Sequence, residues 1–186
     1  MLDVHILVHP STPAEMVAQS IASVQTAVKA AGYRIDMHVV RDAPPWHLGK
    51  ARAFAYALGT QPFVANMDDD DWIDPDYFRI LKPHFAGNPP AIYSPFTVHV
   101  NGCEPRVSRI AVARVFRRDI AASAPIAQHR CREAQIMMDH AKRFGDAVRL
   151  TESHYHYRLR PNSPHRLAWA ALSDSERKAS MEAAHG

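Results

Sequence analysis

The chain has 186 residues, 47% of them hydrophobic, which is enough for one domain with a proper core and too short to expect two. A formal charge of +3 favours an anionic ligand but is far from that of a dedicated nucleic-acid coat. Cys103 and Cys131 make neither a metal-ligand pattern nor a disulfide framework. The start "MLDVHILVHP" has no basic region before its apolar stretch, and no segment approaches the length of a membrane span, so a cytoplasmic protein without a signal peptide is expected.

In chain order, "VHILVHP" reads as a short buried strand stopped by Pro10. Thr12, Pro13 and Glu15 then form a capping box that starts a helix. Val17, Ile21, Val24 and Val28 give that helix one apolar stripe, with Gly32 as its C-cap. "RIDMHVV" is a second strand, "APPW" a loop, and "LGKARAFAYALG" a second helix closing at Gly59. "PFVANM" is a third strand, continuously apolar as expected where helices cover both faces of a parallel sheet.

The alternation predicts a Rossmann-like α/β/α sandwich that gathers ligands outside the carboxyl ends of its strands. Beyond it, "DPDYFRILKPHF" reads as a helix, while "AIYSPFTVHV" and "RVSRIAVARVF" read as strands joined by an Asn101-Gly102 hairpin. "QHRCREAQIMMDHAKRFG" is a further helix, "AVRLTESHYHYRL" a last strand, and "SDSERKASMEAA" a polar terminal helix or tail. The central sheet is therefore expected to be mixed.

Four consecutive aspartates, 68 to 71, stand at the end of the third strand. Like carboxylates at this spacing raise one another's pKa and cost stability unless a cation or donor compensates. Asp71 or Asp74 can cap the next helix; the cluster as a whole suits a hard divalent ion shared with substrate phosphates, Mg²⁺ or Mn²⁺.

In this setting "PFVANMDDDDWIDPDYF" resembles the Asp-x-Asp phrase of the family 2 glycosyltransferases of the GT-A fold. "HILVHPS", "MHVVRDAPP" and "LGKARAFAYAL" are similar to the family's first strand, second strand and following helix, so residues 4 to 80 match in order and spacing. The resemblance implies a metal-dependent transfer of sugar from a nucleoside-diphosphate sugar, a UDP-sugar, to an unknown acceptor. It implies a nucleotide-sugar half over 1–100 and an acceptor half over 101–170 of one domain, with 171–186 a terminal helix or tail. Asp42 would bind the base. Asp70 would be the direct metal ligand and Asp68 would serve the ribose or the metal. Pro10, Lys50, Arg52 and Asp69 would line the nucleotide sugar, although Lys50 and Arg52 also read as a solvated helix face.

"CREAQIMMDHAKRFG" is similar to the family's helix opening on Glu-Asp, here Glu133 followed by Ala134; the resemblance implies that Glu133 serves as the base, or that the base lies elsewhere, or that the enzyme retains configuration and needs none there. The implied metal histidine is His156 or His154, only one of which is expected to face the crevice, with His165 a weaker candidate; both also read as surface histidines. Arg158 is the expected diphosphate partner. Seven arginines between residues 106 and 132 (106, 109, 114, 117, 118, 130 and 132) read either as an exposed face or as a site for an anionic acceptor, nucleic acid included. Two other functions remain open on sequence: a metal-dependent phosphoryl or nucleotidyl transferase, and a non-catalytic nucleotide-sugar-binding module, to which Ala134 points.

Overall fold

The computed structural model describes residues 1–41, 48–100, 103–108, 111–128 and 133–160. Strand β1 (Leu2–Val8) leads into α1 (Ala14–Ala30), β2 (Ile35–Arg41), α2 (Leu48–Tyr56) and β3 (Phe63–Asp68). After these come β4 (Trp72–Ile73), α3 (Tyr77–Leu81), β5 (Ala91–Ser94), β6 (Phe96–His99), β7 (Arg106–Val107) and β8 (Val112–Arg117). Helix α4 (Arg118–Ser123), α5 (Glu133–Ala141), β9 (Val148–Arg149) and β10 (Tyr155–Arg158) complete the described order.

The main sheet runs β2-β1-β3-β8-β5-β9, parallel except for β8, which lies antiparallel to both β3 and β5. A smaller sheet, β4-β10-β6-β7, stands beside the carboxyl end of β3. The expected mixed α/β architecture is present.

Period-two alternation sets which residues meet which helix. On β1 and β3, Val4, Ile6, Ala65 and Met67 share one core with Val17 and Val24 of α1. On the opposite face Leu7 packs with Ala51 and Ala55 of α2, and Val64 with Tyr56 and, from α5, Met137. Asp68 lies in phase with Val64 and Asn66, so its side chain emerges on the α2 side.

Three long expected strands are each divided between sheets, residues 106–116 giving β7 to the smaller sheet and β8 to the main one. Pro95 separates β5 in the main sheet from β6 in the smaller one, because proline has no N–H to continue a ladder. The segment around residues 148–158 likewise gives β9 to one sheet and β10 to the other. Helix α4 was not expected at all. Asn101 and Gly102 lie outside the described residues, though β6 and β7 on either side of them do pair antiparallel.

The capping box does not form: α1 has Pro13 at its N-cap and no side-chain cap bond. Thr12 is buried and turned to another task, described below.

At the opposite end of the strands, buried Asp3 accepts from His38 Nε2 at 2.9 Å, from the Gln61 N–H at 2.8 Å and from Arg118. Gly59 closes over it at φ +78°, and a β-carbon there would come within 2.4 Å of the Asp3 carboxylate. His5, fully buried one turn of the pleat away, stacks on His38 and donates Nε2–H to Leu58 O at 3.3 Å. Burial first, then the neighbouring His38, lowers its pKa from the usual 6.5 to about 4.

Between these two values the unfolded chain binds the His5 proton and the folded chain does not, so stability rises with pH there. Urea denaturation followed across the acid range should show this contribution complete above pH 6.5 and lost as pH falls toward 4, by up to about 1.4 kcal/mol per pH unit. In His5→Asn the slope should flatten; an unchanged slope would mean that His5 is not the titrating group.

Candidate active site

Each of the four adjacent aspartates is met by its own partners. Asp68 is gripped on both oxygens, Oδ1 by Arg52 Nη2 of α2 at 2.7 Å and Oδ2 by Arg114 Nη1 of β8 at 2.9 Å. Arg114 reaches it because β8 lies against β3, pairing Ala65 with Val115. Asp69 Oδ2 accepts the His9 N–H at 2.7 Å from the loop after β1. The Thr12 hydroxyl also bonds Asp69, which is what draws that side chain away from the helix end. Asp70 Oδ2 accepts Arg160 Nε–H at 2.6 Å.

Asp71 is the most deeply placed. Its Oδ2 accepts the Tyr155 hydroxyl at 2.6 Å and its Oδ1 the Arg158 backbone N–H at 2.8 Å. Arg114 lies flat on the Tyr155 ring, 4.1 Å from its centroid, with Nη2 3.9 Å from Asp71. Tyr155 Oη in turn accepts the Asp68 N–H at 3.4 Å, which ties the end of β3 to β10.

Burial is the largest influence on the last three carboxyls and raises the pKa of each, most strongly at Asp71. Asp68 adds repulsion to all three; Arg160 opposes the rise at Asp69 and Asp70, and Arg114 opposes it at Asp71. Of the four, Asp70 combines a charged partner on one oxygen with a second oxygen, Oδ1, that accepts no hydrogen bond among the described residues.

Neither Asp71 nor Asp74 caps the following helix. Asp76 stands at the N-cap of α3 without a side-chain capping bond, and Asp74 instead accepts from His156 Nε2 at 2.9 Å and His154 Nδ1 at 3.3 Å. Both histidines thus reach one carboxylate, where only one was expected to face the crevice. Residues two apart on an extended segment share a face. His156 also stacks on Trp72 with rings 2° from parallel and bonds His99 at 3.0 Å, so its two nitrogens are both engaged. The structure brings these histidines to Asp74 and not to Asp70.

Arg158 is placed differently from its expected diphosphate role: its guanidinium lies over Trp72 and donates to Gln19 Oε1 at 2.6 Å. Arg160, two residues on, is the side chain that meets the aspartates. Sequence reasoning passed over it and Tyr155, and Arg114 stood out only as one of seven arginines read as an exposed face or an acceptor site. The alternation in "YHYR" was the available signal, since it puts Tyr155 on one face and His156 with Arg158 on the other.

Pro10 is exposed in the loop beside His9, and Lys50 is exposed on α2. Arg52 is buried, not part of a solvated helix face. Asp42 and His165 lie outside the described residues, as does the side chain of Glu133, the first residue of α5. The arginine-rich stretch does not form one free basic face: Arg114 serves Asp68, Arg117 pairs with Asp119 at 2.7 Å, and Arg118 pairs with Asp3. Arg106 is exposed, and Arg109, Arg130 and Arg132 lie outside the described residues.

Among the described residues no group of three or more His, Cys, Asp and Glu side chains is arranged to enclose a metal ion. A Mg²⁺- or Mn²⁺-type ion needs no such cage, because one or two carboxylates, water and substrate phosphates suffice. The available Asp70 oxygen fits that need.

The sequence profile described as "Glycosyl transferase family 2" matches residues 19–142, a span that holds most of α1, all of α2 and β3, and the four aspartates. The chain belongs to glycosyl transferase family 2. Its fold is GT-A. No curated protein matches the chain. Among solved structures, S. aureus TarS 1–349 in complex with UDP-GlcNAc superposes with a TM-score of 0.71 at 13% identity, over 97% of this chain and 64% of that one. TarS 1–349 in complex with UDP gives 0.62 at 13% identity, over 86% and 61% of the two chains. The full TarS structure gives 0.64 at 11% identity, over 95% of this chain and 41% of that one. The chain therefore spans less than two thirds of the length of the TarS chains it resembles.

Arg114 is nearly buried between two carboxylates, and removing one member of such a group leaves the others uncompensated. Arg114→Leu should lower unfolding stability by about 3 kcal/mol at pH 8, read from urea denaturation. A loss within the scatter of surface substitutions, about 0.5 kcal/mol, would show that the aspartates are held by other means.

Proposed function

We propose that this glycosyltransferase takes its sugar from a nucleoside-diphosphate donor, a UDP-sugar, with Asp70 holding a divalent ion, Mn²⁺ or Mg²⁺, against the diphosphate. The observation that carries the reading is the division of labour among the aspartates. Asp68 is committed to Arg52 and Arg114, Asp69 to the loop after β1, and Asp71 to β10, which leaves Oδ1 of Asp70 for an ion. The fold relatives bound to UDP-GlcNAc and UDP support the choice of nucleotide.

In this reading the bond from the anomeric carbon to the diphosphate oxygen breaks through an oxocarbenium-like transition state. The ion, when bound, offsets the negative charge that grows on the leaving phosphate. The chain's own residues do the remaining work. The loop carrying His9, Pro10 and Thr12 is held to Asp69 and so is fixed beside the donor crevice. Arg52 and Arg114 hold the Asp68 carboxylate at the end of β3, where it can take the ribose hydroxyls. Asp42, just past β2, would bind the base. Glu133, at the start of α5, would accept the proton of the acceptor hydroxyl.

The rival two-ion phosphoryl transfer needs a second carboxylate free to bridge, and both oxygens of Asp68 are already bonded to arginine. The enclosed arginines likewise count against an extended nucleic-acid face on residues 106 to 118. The acceptor is an open choice of chemistry in the second half; among the described residues no helix is long and apolar enough to cross a membrane.

Calorimetric titration with UDP should show binding that strengthens about tenfold or more when Mn²⁺ is present, and UDP-sugar hydrolysis should depend on the same ion. Asp70→Asn should lose both the coupling and the hydrolysis while remaining folded. Failure of the wild-type protein to bind any nucleoside diphosphate, with or without metal, would sink the donor assignment.

A further inference from the structure

Arg160 lies just beyond β10 and closes over the aspartates from the far end of the described chain. Its Nε–H donates to Asp70 Oδ2 at 2.6 Å and its Nη2 approaches Thr12 Oγ1 at 3.4 Å. Its third nitrogen, Nη1, donates to no described residue. The side chain thus connects the carboxylate proposed for the ion to the loop proposed for the donor. Neighbouring Asp71 holds the Arg158 N–H, so the backbone that delivers Arg160 is itself pinned to the same cluster.

A guanidinium and a divalent cation on one carboxylate repel each other at short range, and at a partly buried site that repulsion is poorly screened. Asp70 therefore favours one or the other until something negative arrives. A diphosphate brings that charge, and arginine is the side chain whose planar fork bonds two phosphate oxygens at once.

We propose that Arg160 is a donor-binding residue that works by exchange: it neutralises Asp70 in the free enzyme, and passes to the diphosphate when ion and nucleotide bind together. This rests on the donor reading given above. The ion alone must bind beside a resident cation that repels it and so binds weakly, whereas ion plus nucleotide gives both cations a partner. Coupling of metal to nucleotide is then a property of Arg160, not of the aspartates alone.

The test measures two constants in the intact chain: Mn²⁺ alone, from the electron spin resonance signal of the free ion, and UDP at saturating Mn²⁺, by calorimetry. In Arg160→Gln, Mn²⁺ alone should bind roughly tenfold more tightly than in wild type, and UDP with Mn²⁺ roughly tenfold more weakly. Arg160→Lys, which keeps the charge but loses the fork, should hold Mn²⁺ binding near the wild-type value while still weakening UDP. Circular dichroism establishes that each variant is folded.

Both shifts are required. Tighter Mn²⁺ with unchanged UDP, or weaker UDP with unchanged Mn²⁺, overturns the exchange. A failure of this kind leaves wild-type binding of Mn²⁺ and UDP intact, whereas failure of the donor reading appears as a wild-type protein that binds no UDP.

Discussion

The organisation of this molecule depends on how four adjacent carboxylates are kept at the end of a buried strand. Left alone, Asp68 to Asp71 would repel one another in a region where water is largely excluded. They are compensated by groups drawn from distant parts of the chain: Arg52 from α2, Arg114 from β8, Arg160 from beyond β10, and the Tyr155 hydroxyl with the Arg158 N–H from β10 itself. The antiparallel insertion of β8 beside β3 is what makes Arg114 available. The smaller sheet exists in the right place because β10 pairs with β4 immediately after the aspartates. Fold and site are thus joined through charge as much as through apolar packing.

The same compensation separates the jobs of the four residues. Two of them hold architecture. Asp71, buried and bonded to Tyr155, fastens the smaller sheet to the end of β3, and Asp69 fixes the loop after β1. Asp68 is oriented by two arginines, a stiff arrangement suited to positioning a substrate group. Asp70 has Arg160 on one oxygen, and its other oxygen accepts no hydrogen bond among the described residues. An Asp-x-Asp phrase read as two equivalent ligands would miss this difference.

Much of the fold was readable from the sequence because its signals are local. The stripe of Val17, Ile21, Val24 and Val28, the glycines at 32 and 59, and the continuous apolar run of β3 each state an element within one window. What local patterns did not carry was the partition of strands between sheets. Pro95 was a visible interruption, but nothing near it says that β6 joins β10 and not β8. Thr12 shows the same limit from the other side: its position fits a helix cap, and a carboxylate from 57 residues away (69 − 12) won the hydroxyl instead.

The site was readable in outline for the same reason. Asp68 and Asp70 follow from motif and strand end. Arg114, Tyr155 and Arg160 did not, since each acts across 46, 84 and 90 residues of chain respectively. The decisive measurement is a crystal structure of the protein with UDP and Mn²⁺. The account predicts the ion on Asp70, Asp68 still bonded to Arg52 and Arg114, and Arg160 on the diphosphate. An ion held by Asp68, with its arginines released, would contradict it.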